Sequence, residues 1–276
     1  MNFKVLGGGM KVSEVGMGTY YDPMWIFEAR GLRWRRGART KVEAMKAGLD
    51  AGMNFIDTAE LYGTEPLVAD AIRGRKRDEL FIATKVWPNH LRRDALVRAL
   101  ERSLRRLGTP YVDLYQVHFP NSRVPISETM AAMEEMKDKG KVVSIGVSNF
   151  SLEQTEAAQE ALKRSQLASN QVQYSLAHRD IEGDLLPYCE GNNISIICYY
   201  PLGHGKLPRA RQKMERVCRE YSKTPAQVAL NWLVTGRNVF AIPRASRAAH
   251  VTENAGASGW EMKPEDRQQL ESAFLR

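Results

Sequence analysis

The sequence predicts an α/β fold, a (β/α)₈ TIM barrel with an N-terminal β-hairpin closing the barrel bottom. Three observations carry this expectation. Short apolar runs alternate eight times with longer helical patterns, as a barrel of about 250 residues requires. The runs are continuously apolar rather than alternating, which suits parallel strands buried on both faces. A doubly wound sheet is the alternative. It is weakened because Gly7 and Gly9 lack a third glycine at the spacing of a G-x-G-x-x-G turn. No low-complexity linker or composition break divides the chain, so residues 1–276 are read as one domain.

FKVLGGGMKV at the front reads as a hairpin closed by Gly7-Gly8-Gly9, plugging the barrel bottom. GMGT (16–19), FIDT (55–58), LFIATKV (80–86) and VDLYQVH (112–118) read as the first four barrel strands. VSIGVSN (143–149), LASNQVQY (167–174), ISIICYY (194–200) and VFAIPRA (239–245) read as the last four. Between them, TKVEAMKAGLDAG takes Thr40 as its N-cap and Gly52 as its stop. LRRDALVRALERSLRRLG and ISETMAAMEEMKDKG have helical spacing, and SLEQTEAAQEALKRS follows an exposed Ser151. KTPAQVALNWLVTG begins near Pro225, where a missing N–H costs little.

With 276 residues and 43% apolar composition, the chain can bury a full core. Its 40 basic and 32 acidic residues give a net charge of +8. The cations are interleaved with acids along the chain, which favours a solvated surface over a nucleic-acid face. Cys189, Cys198 and Cys218 cannot all pair, and neither they nor the five histidines show metal-ligand spacing. Cys198, in an apolar run, reads as a small core residue. The amino terminus lacks a signal peptide's apolar region, and no run approaches the ~20 residues of a membrane span. The expectation is a soluble, reduced, cytoplasmic protein without metal, nucleic acid, membrane or obligate protein partner.

In a barrel, chemistry gathers at the carboxyl ends of the strands. Those ends carry Asp57, Lys85, His118, Ser148, Asn149, Gln171 and Tyr199. Each has an ordinary structural reading alone, but a barrel points them all into one cup. Tyr62 follows the Asp57 strand in NFIDTAELYG. A free phenol has a pKa near ~10, high for a proton donor at neutral pH. An ammonium at ~4 Å and an effective dielectric of ~20 contributes ~4 kcal/mol, roughly three pK units before desolvation. Lys85 is therefore expected to lower the Tyr62 pKa. Asp57 is expected to keep Lys85 charged and in place, and His118 can reach the same substrate oxygen.

The motifs NFIDTAELYG, TKVWP, VDLYQVHFP, GVSNF, NQVQY and IPRASRAAHVTEN follow one another in an order that resembles the aldo-keto reductases. The resemblance runs from the front hairpin to about residue 258. It implies a barrel that binds NADPH extended across its carboxyl face and reduces small aldehydes and ketones by hydride transfer. Tyr62 matches the family's proton donor, and Asp57, Lys85 and His118 match the rest of its tetrad. Ser148, Asn149 and Gln171 match the residues that hold the carboxamide, and Tyr199 the ring that stacks on the nicotinamide. Thr19 and Leu202 also match cofactor positions. Tyr20, Trp87 and Phe119 would form an aromatic wall for the substrate. Arg244 lies at the basic phosphate position, with Ser246 and Arg247 nearby, and Glu253 and Asn254 match adenine contacts. His250 stands where many NADPH-specific relatives carry a second arginine, so NADH is expected to be accepted more weakly rather than excluded.

Two features depart from the family pattern. The stretch YYDPMWIFEARGLRWRRGAR, 20–39, is long and mixes Arg30, Arg33, Arg35, Arg36 and Arg39 with Trp25 and Trp34. A solvated loop, a lid over substrate or cofactor, and a stacking nucleic-acid patch all remain readings of it. After EDRQQLESAFLR no long tail follows, which is expected to leave an open pocket and loose selectivity. A reading from another class is a nicotinamide-binding regulatory or redox-sensor subunit with little turnover. An assay with NADPH and an aromatic aldehyde separates it from an enzyme.

Overall fold

The computed structural model describes residues 1–6, 9–28 and 37–274. The front hairpin pairs β1 (Phe3–Val5) with β2 (Lys11–Ser13) in antiparallel register, Phe3 opposite Ser13. Its Leu6 and Val12 pack against Phe55, Phe81 and Phe240 inside the barrel. The Lys4 ammonium donates to the carbonyls of Gly236 at 2.6 Å and Val239 at 3.1 Å, where the last strand begins. The hairpin thus covers the amino-terminal mouth of the barrel. Of its expected turn, Gly7 and Gly8 lie outside the described residues, while Gly9 takes φ +84°.

Eight parallel strands form the main sheet. They are β3 (Met17–Gly18), β4 (Phe55–Asp57), β5 (Phe81–Val86), β6 (Val112–Val117), β7 (Val142–Ser148), β8 (Leu167–Gln173), β9 (Ser195–Tyr199) and β10 (Val239–Ala241). Each neighbours the next in chain order. The ring closes where Val15 bridges Ala241 and Gly18 bridges Arg244. The Gly16 N–H donates to the Ala241 carbonyl there at 2.8 Å. Closure demands a glycine at 18, because a Cβ would sit 2.7 Å from the Ile242 carbonyl oxygen. Every run read as a barrel strand overlaps one; seven are trimmed at their ends, and β7 starts one residue before its run, at Val142.

The helices are α1 (Pro23–Phe27), α2 (Ala38–Asp50), α3 (Glu65–Ile72), α4 (Arg93–Leu107), α5 (Ile126–Asp138) and α6 (Leu152–Ala161). They continue as α7 (Leu185–Gly191), α8 (Lys206–Arg209), α9 (Arg211–Glu220), α10 (Pro225–Val234), α11 (Ala248–Ala255) and α12 (Pro264–Phe274). The α4 sequence buries Leu96, Ala99, Leu100, Leu104 and Leu107 on one face and stops at Gly108 in the left-handed region. Capping boxes start α6 at Ser151 with Gln154, and α10 at Thr224 with Gln227.

Two local expectations need correction. Thr40 is not the N-cap of α2: the helix starts at Ala38, after Gly37 in left-handed backbone and without a side-chain cap. Glycine supplies that geometry without steric cost. The stretch after Tyr20 is not all loop, because it contains α1. Asp22 caps α1 by accepting from the Trp25 N–H at 2.7 Å, and Pro23 occupies the first turn. Trp25 is buried beneath the Lys41 ammonium, which lies 4.4 Å from its ring centre. Arg30, Arg33, Trp34, Arg35 and Arg36 lie outside the described residues. Among the described residues, no helix is long and apolar enough to cross a membrane.

Candidate active site

The strand order brings the polar strand ends into contact at the carboxyl face. Lys85, near the end of β5, donates to Asp57 Oδ1 at 2.6 Å and to the Thr58 carbonyl at 3.0 Å. Gln171 from β8 crosses the barrel and donates through Nε2 to Asp57 Oδ2 at 2.9 Å. Lys85 is fully buried and Asp57 nearly so. Burial pushes the Asp57 carboxyl up and the Lys85 ammonium down, and their mutual contact opposes both shifts. The two side chains, and Gln171, thus supply each other with the hydrogen bonds that water would otherwise supply.

Tyr62 sits on the turn between β4 and α3. Its hydroxyl lies 3.2 Å from His118 Nε2, and the Lys85 ammonium lies 5.0 Å from its ring centre. The expected lowering of the Tyr62 pKa is not found. Burial, then the Asp57 charge and the neighbouring Tyr200, Tyr20 and Tyr199, push the phenol well above its ordinary value. Burial and then the Lys85 charge lower His118 to about 2, so its imidazole is neutral across the working range. The His118 ring stacks on Phe119 at 5.1 Å and meets the edge of Trp87 at 5.3 Å.

A second layer supports the first. Thr19 Oγ1 donates to the Asp57 carbonyl at 2.9 Å, and Thr64 shares hydroxyl hydrogen bonds with Thr19 and Thr58. Ser148 Oγ donates to the Gln171 carbonyl at 2.9 Å. Asn149, at φ +62°, donates to the His118 carbonyl at 3.0 Å and accepts from the Tyr199 hydroxyl at 2.7 Å. These bonds tie the strand ends of the cup to one another.

Two cavities meet over the cup. One, of about 320 Å³, is walled by Ile26, Leu61, Trp87 and Phe119. The other, of about 440 Å³, runs from Tyr199 past Leu202 and His204 to Arg244. Tyr20, Tyr62, Gln171, Tyr199 and Tyr200 border both.

The aldo/keto reductase family model matches residues 28–274. The chain is 35% identical to methylglyoxal reductase YeaE of Escherichia coli over 97% of this chain and 93% of that protein. It belongs to the aldo/keto reductase family. It is an oxidoreductase, and carbonyl reduction is the family's general chemistry. Among solved structures, an aldo-keto reductase from Klebsiella pneumoniae in complex with NADPH superposes with a TM-score of 0.89 and 34% identity. The match covers 99% of this chain and 95% of that one. A Klebsiella pneumoniae aldo/keto reductase in complex with NADP and acetate gives a TM-score of 0.87 at 35% identity, covering 98% and 94%.

Within this reductase, the sequence-expected residues fall into two groups. Asp57, Tyr62, Lys85, His118, Ser148, Asn149, Gln171 and Tyr199 come together at the cup, with Tyr20, Trp87 and Phe119 around it. Of the residues after β10, Arg244 lines the large cavity, and its guanidinium also donates to the Tyr21 carbonyl. Ser246, just before α11, and His250 and Glu253, within it, do not line that cavity; His250 is exposed. Asn254 is buried and borders a small void beneath Tyr21 and Pro243. Sequence reasoning missed Ile26, Thr64, Tyr200 and His204. Only Ile26 had a usable signal, the Asp22-Pro23 helix start that carries it to the cup.

Proposed function

We propose that this chain reduces small aldehydes and ketones to alcohols with NADPH, with Tyr62 as the proton donor. The observation that carries the reading is the Tyr62 hydroxyl 3.2 Å from a neutral His118 Nε2, at the junction of two cavities and above a buried Lys85–Asp57 pair. The residues present suit a dinucleotide. A flat ring, Tyr199, and the amide and hydroxyl groups of Gln171, Asn149 and Ser148 gather at one end of the larger cavity, and a guanidinium, Arg244, at the other. NADPH, when bound, supplies the hydride.

The chain's own residues then do the following. Tyr62 and His118 receive the carbonyl oxygen between them and orient it. The raised pKa keeps the phenol protonated, so the donor is loaded at neutral pH. As the oxygen gains alkoxide character it becomes a far stronger base than a phenolate, and the Tyr62 proton moves to it. Lys85 stabilises the phenolate left behind, and His118 donates to the oxygen as charge develops. Asp57 and Gln171 position the lysine. Trp87 and Phe119 exclude water from the cup.

Arg244 is the group that distinguishes NADPH from NADH, since a guanidinium forks two charged hydrogen bonds to a phosphate. With an exposed His250 in place of a second arginine, NADH is accepted more weakly rather than refused. The purified protein, given NADPH or NADH and a panel of aldehydes and ketones, tests the reading. Aldehyde-dependent oxidation of NADPH, faster than of NADH, is the expected result. Tight NADPH binding without turnover on any carbonyl would replace it with a sensor role.

A further inference from the structure

One residue outside the tetrad carries a further assignment, which rests on the reading above. Tyr200 directly follows β9 and has φ +49°. That left-handed backbone is rare for an aromatic residue, because the side chain crowds its own carbonyl. Pro201 comes next and by itself pushes its predecessor toward extended backbone. Both local preferences oppose the observed conformation, so packing must hold it. The packing is aromatic. The Tyr200 ring centre lies 3.7 Å from that of His204, 5.2 Å from Tyr199 and 6.3 Å from Tyr20.

The position of the ring explains what the strain achieves. Tyr200 and Tyr20 border both cavities. They follow β9 and β3, the strands on either side of β10, so they reach toward each other across the mouth of the barrel. Tyr20 in turn meets the Tyr62 ring edge-on at 5.2 Å. A carbonyl carbon carries two substituents. With its oxygen between Tyr62 Oη and His118 Nε2, one substituent can enter the cup walled by Ile26, Leu61, Trp87 and Phe119. The other faces the Tyr20–Tyr200 pair.

We infer that Tyr200, braced against Tyr20, restricts the second substituent to hydrogen or a small group. It makes this reductase selective for aldehydes and methyl ketones over ketones with two bulky arms. The ring does this, not the hydroxyl. It acts as a partition between the substrate cup and the cofactor trough.

Two uncharged substrates with the same aryl arm test the partition: benzaldehyde and butyrophenone, each with saturating NADPH. Their intrinsic reactivities differ, so the readout is the change in the ratio of kcat/KM between proteins. Tyr200→Asn removes the ring and tolerates the left-handed backbone. Tyr200→Gly does the same and serves as a second ringless variant if the first folds poorly. In the ringless protein the ratio should move toward the ketone by at least about tenfold, the scale on which a pocket reads one or two carbons. Tyr200→Phe should keep the wild-type ratio. An unchanged ratio in the ringless variants, with both substrates still reduced, overturns the partition while leaving the reductase reading intact. Failure of the wild-type protein to reduce either compound overturns that reading and the partition with it.

Discussion

The cup at the ends of β4 to β8 and the turn after β10 are built in opposite ways. In the cup, Lys85, Asp57, Gln171, Ser148 and His118 are buried, and each is held by hydrogen bonds to its neighbours. After β10, Arg244, Arg247 and His250 are exposed, and Arg247 caps α11 without a side-chain hydrogen bond. A buried charge must find its partner as the chain folds, so the cup is complete when folding ends. An exposed cation costs little to keep in water, and of these three described residues only Arg244 is tethered, through the Tyr21 carbonyl. On the proposed reading, chemistry would sit where fold and function share the same bonds, and cofactor choice where they are separable.

This contrast can be broken at either end. The largest effect should come from Lys85→Met. It leaves Asp57 as an uncompensated buried carboxylate, a loss of about 3–5 kcal/mol in stability, and it removes the cation that supports the Tyr62 phenolate. Denaturant unfolding and turnover, measured together, should both collapse. Asp57→Asn should be milder, because Thr58 still accepts from the lysine; equal inactivity would give Asp57 a more direct role than support.

His118 makes a smaller but sharper prediction. Its pKa falls from 6.5 in the unfolded chain to about 2 in the fold. Below 6.5 the unfolded state binds a proton that the folded state refuses, so this contribution to stability is present above pH 6.5 and is lost as pH falls toward 2. Between pH 7.5 and 5 the loss should be about 2 kcal/mol. Wild-type stability should therefore fall more steeply with acid than that of His118→Gln, by about that amount, in parallel urea titrations. Identical slopes would show that His118 is protonated in the folded protein.

The smallest effect lies at the exposed turn. Arg244→Ala should raise the Michaelis constant for NADPH roughly tenfold or more, the scale of a charged hydrogen bond. The constant for NADH and the melting temperature should hardly move. Equal losses with both cofactors would mean that Arg244 does not read the phosphate.

Much of this was legible in the sequence, for physical reasons that differ by region. The strands could be read because burial on both faces leaves continuous runs such as FIATKV, whose residues are all buried. Asp57 and Lys85 could be paired because adjacent parallel strands fix which ends are neighbours. The sign of the Tyr62 shift could not be read. It depends on the depth of burial and on the nearness of the Asp57 charge, and neither is encoded in spacing. The α1 helix could have been read from Asp22-Pro23, but the arginines that follow it suggested a loop. Tyr200 was invisible because local preference argues against its conformation; only packing with Tyr20, Tyr199 and His204 reveals it. Ser246, His250 and Glu253 came from resemblance alone, and the large cavity reaches Arg244 without them.

The measurement that tests the central claim most directly is a single turnover of Tyr62→Phe. The variant keeps the ring in its contacts with His118 and Tyr20 and loses only the transferable proton. Loaded with NADPH and mixed with an aldehyde, it should bind the cofactor as wild type does in a fluorescence titration. Hydride transfer should be slower by at least the ~10²–10⁴-fold typical of a lost general acid. A wild-type rate in that single turnover would contradict the account and take the proton donor away from Tyr62.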